Sequence, residues 1–123
     1  MTSRTFPPRM TRAVLALVAA IVPGLAQADV KLGITVPATG FASADGESAL
    51  NGAKLAVAQA NAKGGIKGEM ITLIVYDDQA SPKEAVPAAT KLVEKDKVVA
   101  AIGGSDSDAV RAAAPVFQSA QVP

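Results

Sequence analysis

The sequence predicts an α/β fold: a three-layer parallel sheet with crossover helices, preceded by a cleaved leader. Two observations carry the prediction. From residue 30 onward, short β-rich runs alternate with longer stretches of helical periodicity, which is the pattern of repeated β–α units. Segments rich in Gly, Ser and Thr follow the first and third β-rich runs, where a parallel sheet turns into its next helix.

The leader is predicted from the three parts of a secretory signal peptide. Three arginines lie within the first 12 residues, residues 13–25 carry no charge, and an Ala-Gln-Ala sequence at 26–28 suits signal peptidase. The uncharged run is shorter than the roughly 20 residues of a membrane span, although an N-terminal anchor is the alternative. We expect residues 1–28 to be removed, so that the exported protein begins at Asp29 in the periplasm.

The first β–α unit combines a strand over residues 30–36 with a helix over residues 47–62. Small and apolar residues recur in that helix at three- and four-residue spacing, and Gly64-Gly65 ends it. The second unit has a strand over residues 71–76 and a helix over residues 81–95. An N-cap serine, a proline and a capping-box glutamate predict the start of this helix, at Ser81, Pro82 and Glu84.

The third unit has a strand over residues 98–102 and a helix over residues 108–119. Three strands leave one edge of the sheet unpaired, so we expect the chain to be part of a longer protein. Right-handed crossovers favour the strand order 2-1-3, in which the first and third strands are neighbours and their outgoing loops diverge.

This topology predicts the place of a ligand site. Ligands of open parallel sheets bind beyond the carboxyl ends of the strands, between diverging loops, which here are residues 37–46 and 103–107. The second loop leads into a helix N-terminus, where free amides and the helix dipole favour a carboxylate. Ser107 is placed to contribute, although Ser107 or Asp106 acting only as the N-cap is the alternative. Asp106 and Asp108 disfavour a phosphate, so a carboxylate with an ammonium group fits better.

Composition excludes several other functions. The chain contains no histidine or cysteine, so it has no disulfide, no lipid attachment at a cysteine, no zinc site and no Ser/His or Cys/His nucleophile. Removal of the leader leaves nine basic and 11 acidic residues, a net charge of −2, which disfavours a nucleic-acid partner. We expect no cofactor and no metal. Asp77 and Asp78 are interpreted as solvated loop acids, with a metal or phosphoryl-accepting role as the alternative.

Several short sequences occur in a specific order and spacing: VKLGI at 30–34, TG at 39–40, NGA at 51–53, NAKGGIKG at 61–68, YDD at 76–78, PK at 82–83 and AV at 85–86. In this order they resemble the leucine/isoleucine/valine-binding proteins of ABC transporters, which are type I periplasmic binding proteins. The resemblance implies a receptor of two lobes that close on an amino acid or a similar small carboxylate. Residues 29–123 would be the N-terminal part of lobe 1, and the full-length protein a monomer that delivers its ligand to a membrane permease.

The resemblance also implies site residues. The serine of the family's third loop matches Ser107, and Asp108 and Ala109 follow it as amide donors to the ligand carboxylate. Asp45 matches a position where branched-chain binders often have an aromatic residue that covers the ligand side chain. Because an unpaired buried carboxylate costs several kcal/mol, Asp45 predicts a more polar or positively charged ligand, or a loop that lies farther away.

Three other functions stay open at this point. A sensor domain of the same fold would bind an amide, a urea or an aromatic acid and would be followed by a transmembrane segment. An α/β enzyme domain would need a catalytic group that these residues do not supply. A structural role for a truncated product is the third.

Overall fold

The computed structural model describes residues 29–123, and the predicted signal peptide lies outside the described residues. The elements follow the predicted alternation: β1 (Val30–Val36), α1 (Ser43–Ala62), β2 (Ile71–Asp77), α2 (Pro82–Thr90), a π-helical turn (Lys91–Lys95), β3 (Ala100–Ile102) and α3 (Ser107–Ser119). Within residues 29–123, no helix combines the length and the apolar character that crossing a membrane requires.

The three strands form one parallel sheet in the order β2-β1-β3, which confirms the predicted order. β1 is the central strand: Val30 is in register with Ile71 of β2, and Ile34 is in register with Ile102 of β3. At the outer edge of β3, the Ala101 amide donates to the Pro123 carbonyl at 2.8 Å. Because β1 and β3 are parallel neighbours, the loops after them leave the sheet side by side at its carboxyl edge.

The core lies between the sheet and the pair α2 and α3. Small side chains let these two helices approach closely, and the buried cluster consists of Ala85, Ala89, Ala109 and Ala113 with Val116 and Phe117 packed against it. Leu92 of the π-helical turn is fully buried on β1, where a Cβ atom at Gly33 would lie 2.8 Å from its Cδ1. Right-handed crossovers place α1 on the opposite face of the sheet.

Two elements begin two or more residues away from their predicted starts. α1 begins at Ser43 instead of residue 47, because Gly46 in its first turn packs directly against the Pro37 carbonyl, where a side chain would not fit. β3 begins at Ala100 instead of residue 98. The Val98 amide donates to the Leu92 carbonyl at 3.1 Å, so it closes the preceding helical turn and does not join the sheet.

The predicted capping box at the start of α2 is wrong. Ser81 is the N-cap residue in an extended conformation and Pro82 opens the helix, as expected, but the Ser81 side chain makes no capping hydrogen bond. The amides of Glu84 and Ala85 instead donate to the Ser81 carbonyl, at 3.1 and 2.9 Å. The helix continues past Pro87, whose side chain is exposed, so this proline does not disturb the core.

The segment between α1 and β2 is a tight turn, as its glycines predict. Ile66 and Glu69 exchange two backbone hydrogen bonds of 2.8 and 2.9 Å, and Lys67 and Gly68 between them have φ angles of 53° and 89°. Two successive residues with positive φ are the geometry of a type I′ turn. The turn reverses the chain at the amino edge of the sheet.

Asn61 fixes the end of α1 to the start of β2. Its Nδ2 donates to the Ile71 carbonyl at 2.9 Å, and its Oδ1 accepts from the Ile71 amide at 2.8 Å. The side chain thus satisfies both backbone groups of a buried residue at the first position of an edge strand.

We predict that Asn61→Ala destabilises the protein, because it leaves the Ile71 amide and carbonyl without partners. The expected loss of unfolding free energy is about 1–3 kcal/mol. Chemical unfolding followed by circular dichroism measures it, with Asn51→Ala on the exposed face of the same helix as the matched control. Equal stability of the two variants would contradict this role of Asn61.

Candidate functional site

Two loops at the carboxyl edge of the sheet flank the candidate site. The first runs from the end of β1 at Val36 to the start of α1, and the second runs from the end of β3 at Ile102 to the start of α3. β1 and β3 are hydrogen-bonded neighbours, so the two loops start next to each other and lead to helices on opposite faces. This is the switch point at which the topology predicts a ligand.

The N-terminus of α3 is capped by Asp106. Its backbone is extended, and its Oδ1 accepts from the amides of Asp108 and Ala109 at 3.0 and 2.9 Å. Of the two N-cap residues that the sequence left open, the structure has Asp106, and Ser107 is the first residue of the helix. Ser107 is therefore not needed to cap α3.

Ser107 carries hydrogen-bond donors at the N-terminus of α3. Its side chain is exposed, and within residues 29–123 no atom accepts a hydrogen bond from its hydroxyl or its backbone amide. The amides of Asp108 and Ala109, the other two predicted ligand contacts, are already bound to Asp106. The Ala109 side chain is buried, whereas the exposed Asp108 carboxylate lies 3.6 Å from Arg111. All three residues stay predicted ligand contacts, and Ser107 has the free donors.

Asp45 lies in the first turn of α1 and not in a loop, because the helix begins earlier than predicted. Its carboxylate is exposed and makes no hydrogen bond within residues 29–123. The structure thus places Asp45 on α1 and the other three predicted residues on α3. A contact between Asp45 and a ligand stays a prediction.

The interpretation of Asp77 and Asp78 as solvated acids is wrong. The Asp77 carboxylate is half-buried and binds the loop after β1: Oδ1 accepts from the amides of Ala38 and Thr39 at 2.9 and 3.3 Å, and Oδ2 accepts from the Thr39 hydroxyl at 2.6 Å. Oδ1 also accepts from the Gln79 amide at 2.9 Å. Burial alone raises the pKa of Asp77, but the Thr39 hydroxyl and these amides outweigh it, so the pKa lies below its usual 3.8.

Asp78 points to the other loop. It is only 1% exposed, and its Oδ1 accepts from the Ala80 amide at 3.0 Å. A Cβ atom on Gly104 would lie 2.9 Å from its Oδ2, so a side chain at position 104 would displace this carboxylate. Asp77 thus binds the loop after β1, whereas Asp78 lies against Gly104 of the loop after β3. Among the described residues, no group of three or more acidic side chains is arranged to hold a metal ion.

A cavity of about 420 Å³ lies between α1 and the ends of β1 and β3. Its walls are mostly aliphatic and small residues, with the backbone of residues 103–105 at one side, and it has no charged side chain. None of the four predicted ligand-binding residues lines it. The cavity therefore offers polar groups only in the Ser48 and Ser105 side chains and in the backbone of residues 103–105, beside a mostly aliphatic wall.

We predict that Asp106→Ala lowers the unfolding free energy by about 0.5–2 kcal/mol, because it removes the N-cap of α3. Ser107→Ala is the matched variant and should leave stability within about 0.5 kcal/mol of the original protein. Thermal and chemical unfolding of both variants measure the difference. A larger loss for Ser107→Ala would mean that Ser107 carries the cap.

The chain is similar in sequence to known binding proteins. A family model described as "Periplasmic binding protein" matches residues 29–123, which are all of the residues that the structure describes. The chain is 40% identical over 114 residues to an "Amino acid binding protein" of Pseudomonas aeruginosa, with coverage of 90% of this chain and 30% of that protein. It is 36% identical over 90 residues to a "Leu/Ile/Val-binding protein" of Escherichia coli, covering 73% of this chain and 24% of that protein.

Solved structures show the same fold. The branched-chain amino acid transporter substrate-binding protein LivJ from Streptococcus pneumoniae, in complex with isoleucine, superimposes with a TM-score of 0.76 at 35% identity, over 78% of this chain and 28% of that one. A leucine-binding protein LivK from Thermotoga maritima gives 0.69 at 33% identity, over 76% and 26%. The chain spans less than a third of the length of each of these proteins.

Proposed function

Because the chain belongs to the periplasmic binding protein family, we propose that the full-length protein is the substrate-binding component of an ABC transporter for a branched-chain amino acid or a similar small carboxylate. The observation that carries the proposal is the family match over every described residue, together with the free donors of Ser107 at the switch point. Binding is non-covalent, and the protein performs no reaction.

The N-terminus of α3 supports an amino acid over a plain carboxylate. The ligand carboxylate accepts from the hydroxyl and the amide of Ser107, where the helix dipole adds a favourable field. The Asp106 carboxylate is next to this position in the chain and repels a second negative charge. An ammonium group on the same ligand offsets the repulsion, because it can approach Asp106.

The rest of the proposal concerns the full-length protein. It is exported to the periplasm after cleavage between Ala28 and Asp29, closes two lobes on its ligand as a monomer, and delivers the ligand to a membrane permease. Residues 29–123 supply one side of the cleft. One side alone leaves much of the ligand in water, whereas good pockets bury roughly 70–90% of it, so tight binding requires the remainder of the protein.

Calorimetry on the full-length protein tests the function. We predict that leucine, isoleucine or valine binds, and that 4-methylpentanoate, which is leucine without its ammonium group, binds far more weakly. Equal binding of leucine and 4-methylpentanoate would contradict the amino-acid assignment. Absence of binding for the whole set of aliphatic amino acids would overturn the proposed ligand class.

Replacement of the Ser107 hydroxyl tests the contact to the carboxylate. A hydrogen bond to a charged acceptor contributes about 1.5–3 kcal/mol, so Ser107→Ala should weaken binding by roughly 10- to 100-fold. Ser119→Ala at the other end of α3 is the matched control and should bind like the original protein. Unchanged affinity of Ser107→Ala would remove this residue from the site.

Asp45→Tyr tests the wall that α1 offers to the ligand side chain. Covering roughly 50 Å² of aliphatic surface stabilises the complex by about 1.3 kcal/mol, so leucine should bind about 10-fold more tightly. Lys54→Tyr, at an exposed position of the same helix, should leave the affinity unchanged. The same leucine affinity in Asp45→Tyr and in the original protein would show that position 45 does not face the ligand.

A further inference from the structure

The loop after β1 is held by hydrogen bonds and not by packing. Residues 38–41 are all exposed, and Phe41, the largest side chain among them, is 87% exposed. Gly40 has a φ of +88°, so the loop contains a conformation that most residues avoid. Without apolar burial, a loop of this kind keeps one conformation only where specific polar contacts fix it.

Asp77 supplies the polar contacts to this loop that come from a distant part of the chain. It ends β2, the strand beside β1, and its carboxylate binds the amides of Ala38 and Thr39 and the Thr39 hydroxyl. The other backbone hydrogen bonds of this loop are local, from Ala38 to the Val36 carbonyl and from Ser43 to the Gly40 carbonyl. The Asp77 carboxylate therefore joins the loop to the neighbouring strand.

We propose that Asp77 is a positioning residue, which holds residues 38–41 in the conformation that faces the ligand. The proposal rests on the proposed function, because this loop is one of the two that flank the site. Asp77 touches no ligand; it acts through Ala38 and Thr39. Its charge makes these hydrogen bonds stronger than bonds of the same geometry between neutral groups.

The direction of the neighbouring acid supports a division of roles. Asp77 ends β2 and its carboxylate binds the loop after β1, whereas Asp78, the next residue, lies buried beside Gly104 of the loop after β3. Substitution of Asp77 thus removes the contacts to the loop after β1 and leaves Asp78 in place beside Gly104. This separation lets a single substitution test the proposal.

The test combines calorimetry with amide hydrogen exchange on the full-length protein. Asp77→Ala should weaken amino-acid binding by about 10-fold and speed exchange in residues 38–41, because charge-assisted hydrogen bonds that hold the loop are lost. Asp77→Asn keeps an oxygen that accepts from both amides, so it should restore part of the affinity and of the protection. Thr39→Val removes only the hydroxyl and should have a smaller effect on both measurements.

Asp96→Ala is the matched control. The Asp96 carboxylate also accepts a side-chain hydrogen bond, from the Tyr76 hydroxyl at 2.9 Å, but it lies before β3 at the opposite edge of the sheet. The Asp96 variant should lower thermal stability, while ligand binding and the hydrogen exchange of residues 38–41 stay unchanged. A substitution that acts only through stability would therefore resemble this control.

The outcomes separate this proposal from the proposed function. If the original protein binds no amino acid, the proposed function fails, and the exchange of residues 38–41 still decides whether Asp77 holds the loop. Unchanged exchange in Asp77→Ala would overturn the positioning role in either case. Faster exchange with unchanged affinity would also overturn it, because the loop would then not face the ligand.

Discussion

β1 is hydrogen-bonded on both sides, and the rest of the structure depends on this position. A parallel strand in the middle of a sheet must be covered on both faces, and residues 33–37 are buried accordingly. Gly33 lets Leu92 lie directly on the strand, while Gly46 lets α1 approach Pro37 at its end. The positions of the helices on the two faces therefore depend on how closely each helix can approach β1. The two loops that flank the candidate site start where β1 and its neighbour β3 end.

The order of elements could be predicted from the sequence because it depends on local signals. β-rich runs, helical spacing and glycines identify three β–α units, and handedness then gives the strand order. Errors appear where tertiary contacts decide. Gly46 resembles a loop residue until the Pro37 carbonyl beside it is known, and Val98 continues a β-rich run although its amide binds Leu92.

The site could be predicted only in part, because local signals and topology indicate its place but tertiary contacts decide its details. Topology and the family resemblance both point to Ser107, but neither tells which residue caps α3, since Asp106 and Ser107 both suit an N-cap. The role of Asp77 could not be predicted, because its partners Ala38 and Thr39 lie 39 and 38 residues away in the chain and adjacent acids are commonly solvated. The signal was the position of Asp77 at the end of a strand, beside the loop that follows the neighbouring strand.

A loop that hydrogen bonds fix in one conformation lowers the entropic cost of ligand binding. A binding segment that is ordered before the ligand arrives loses little conformational entropy on binding, so more of the contact energy appears as affinity. With residues 38–39 bound to Asp77 and the start of α1 packed on Pro37, the loop after β1 is preorganised. Under the proposed function, the entropic cost of binding then falls on the lobe that closes over the ligand and on the ligand itself.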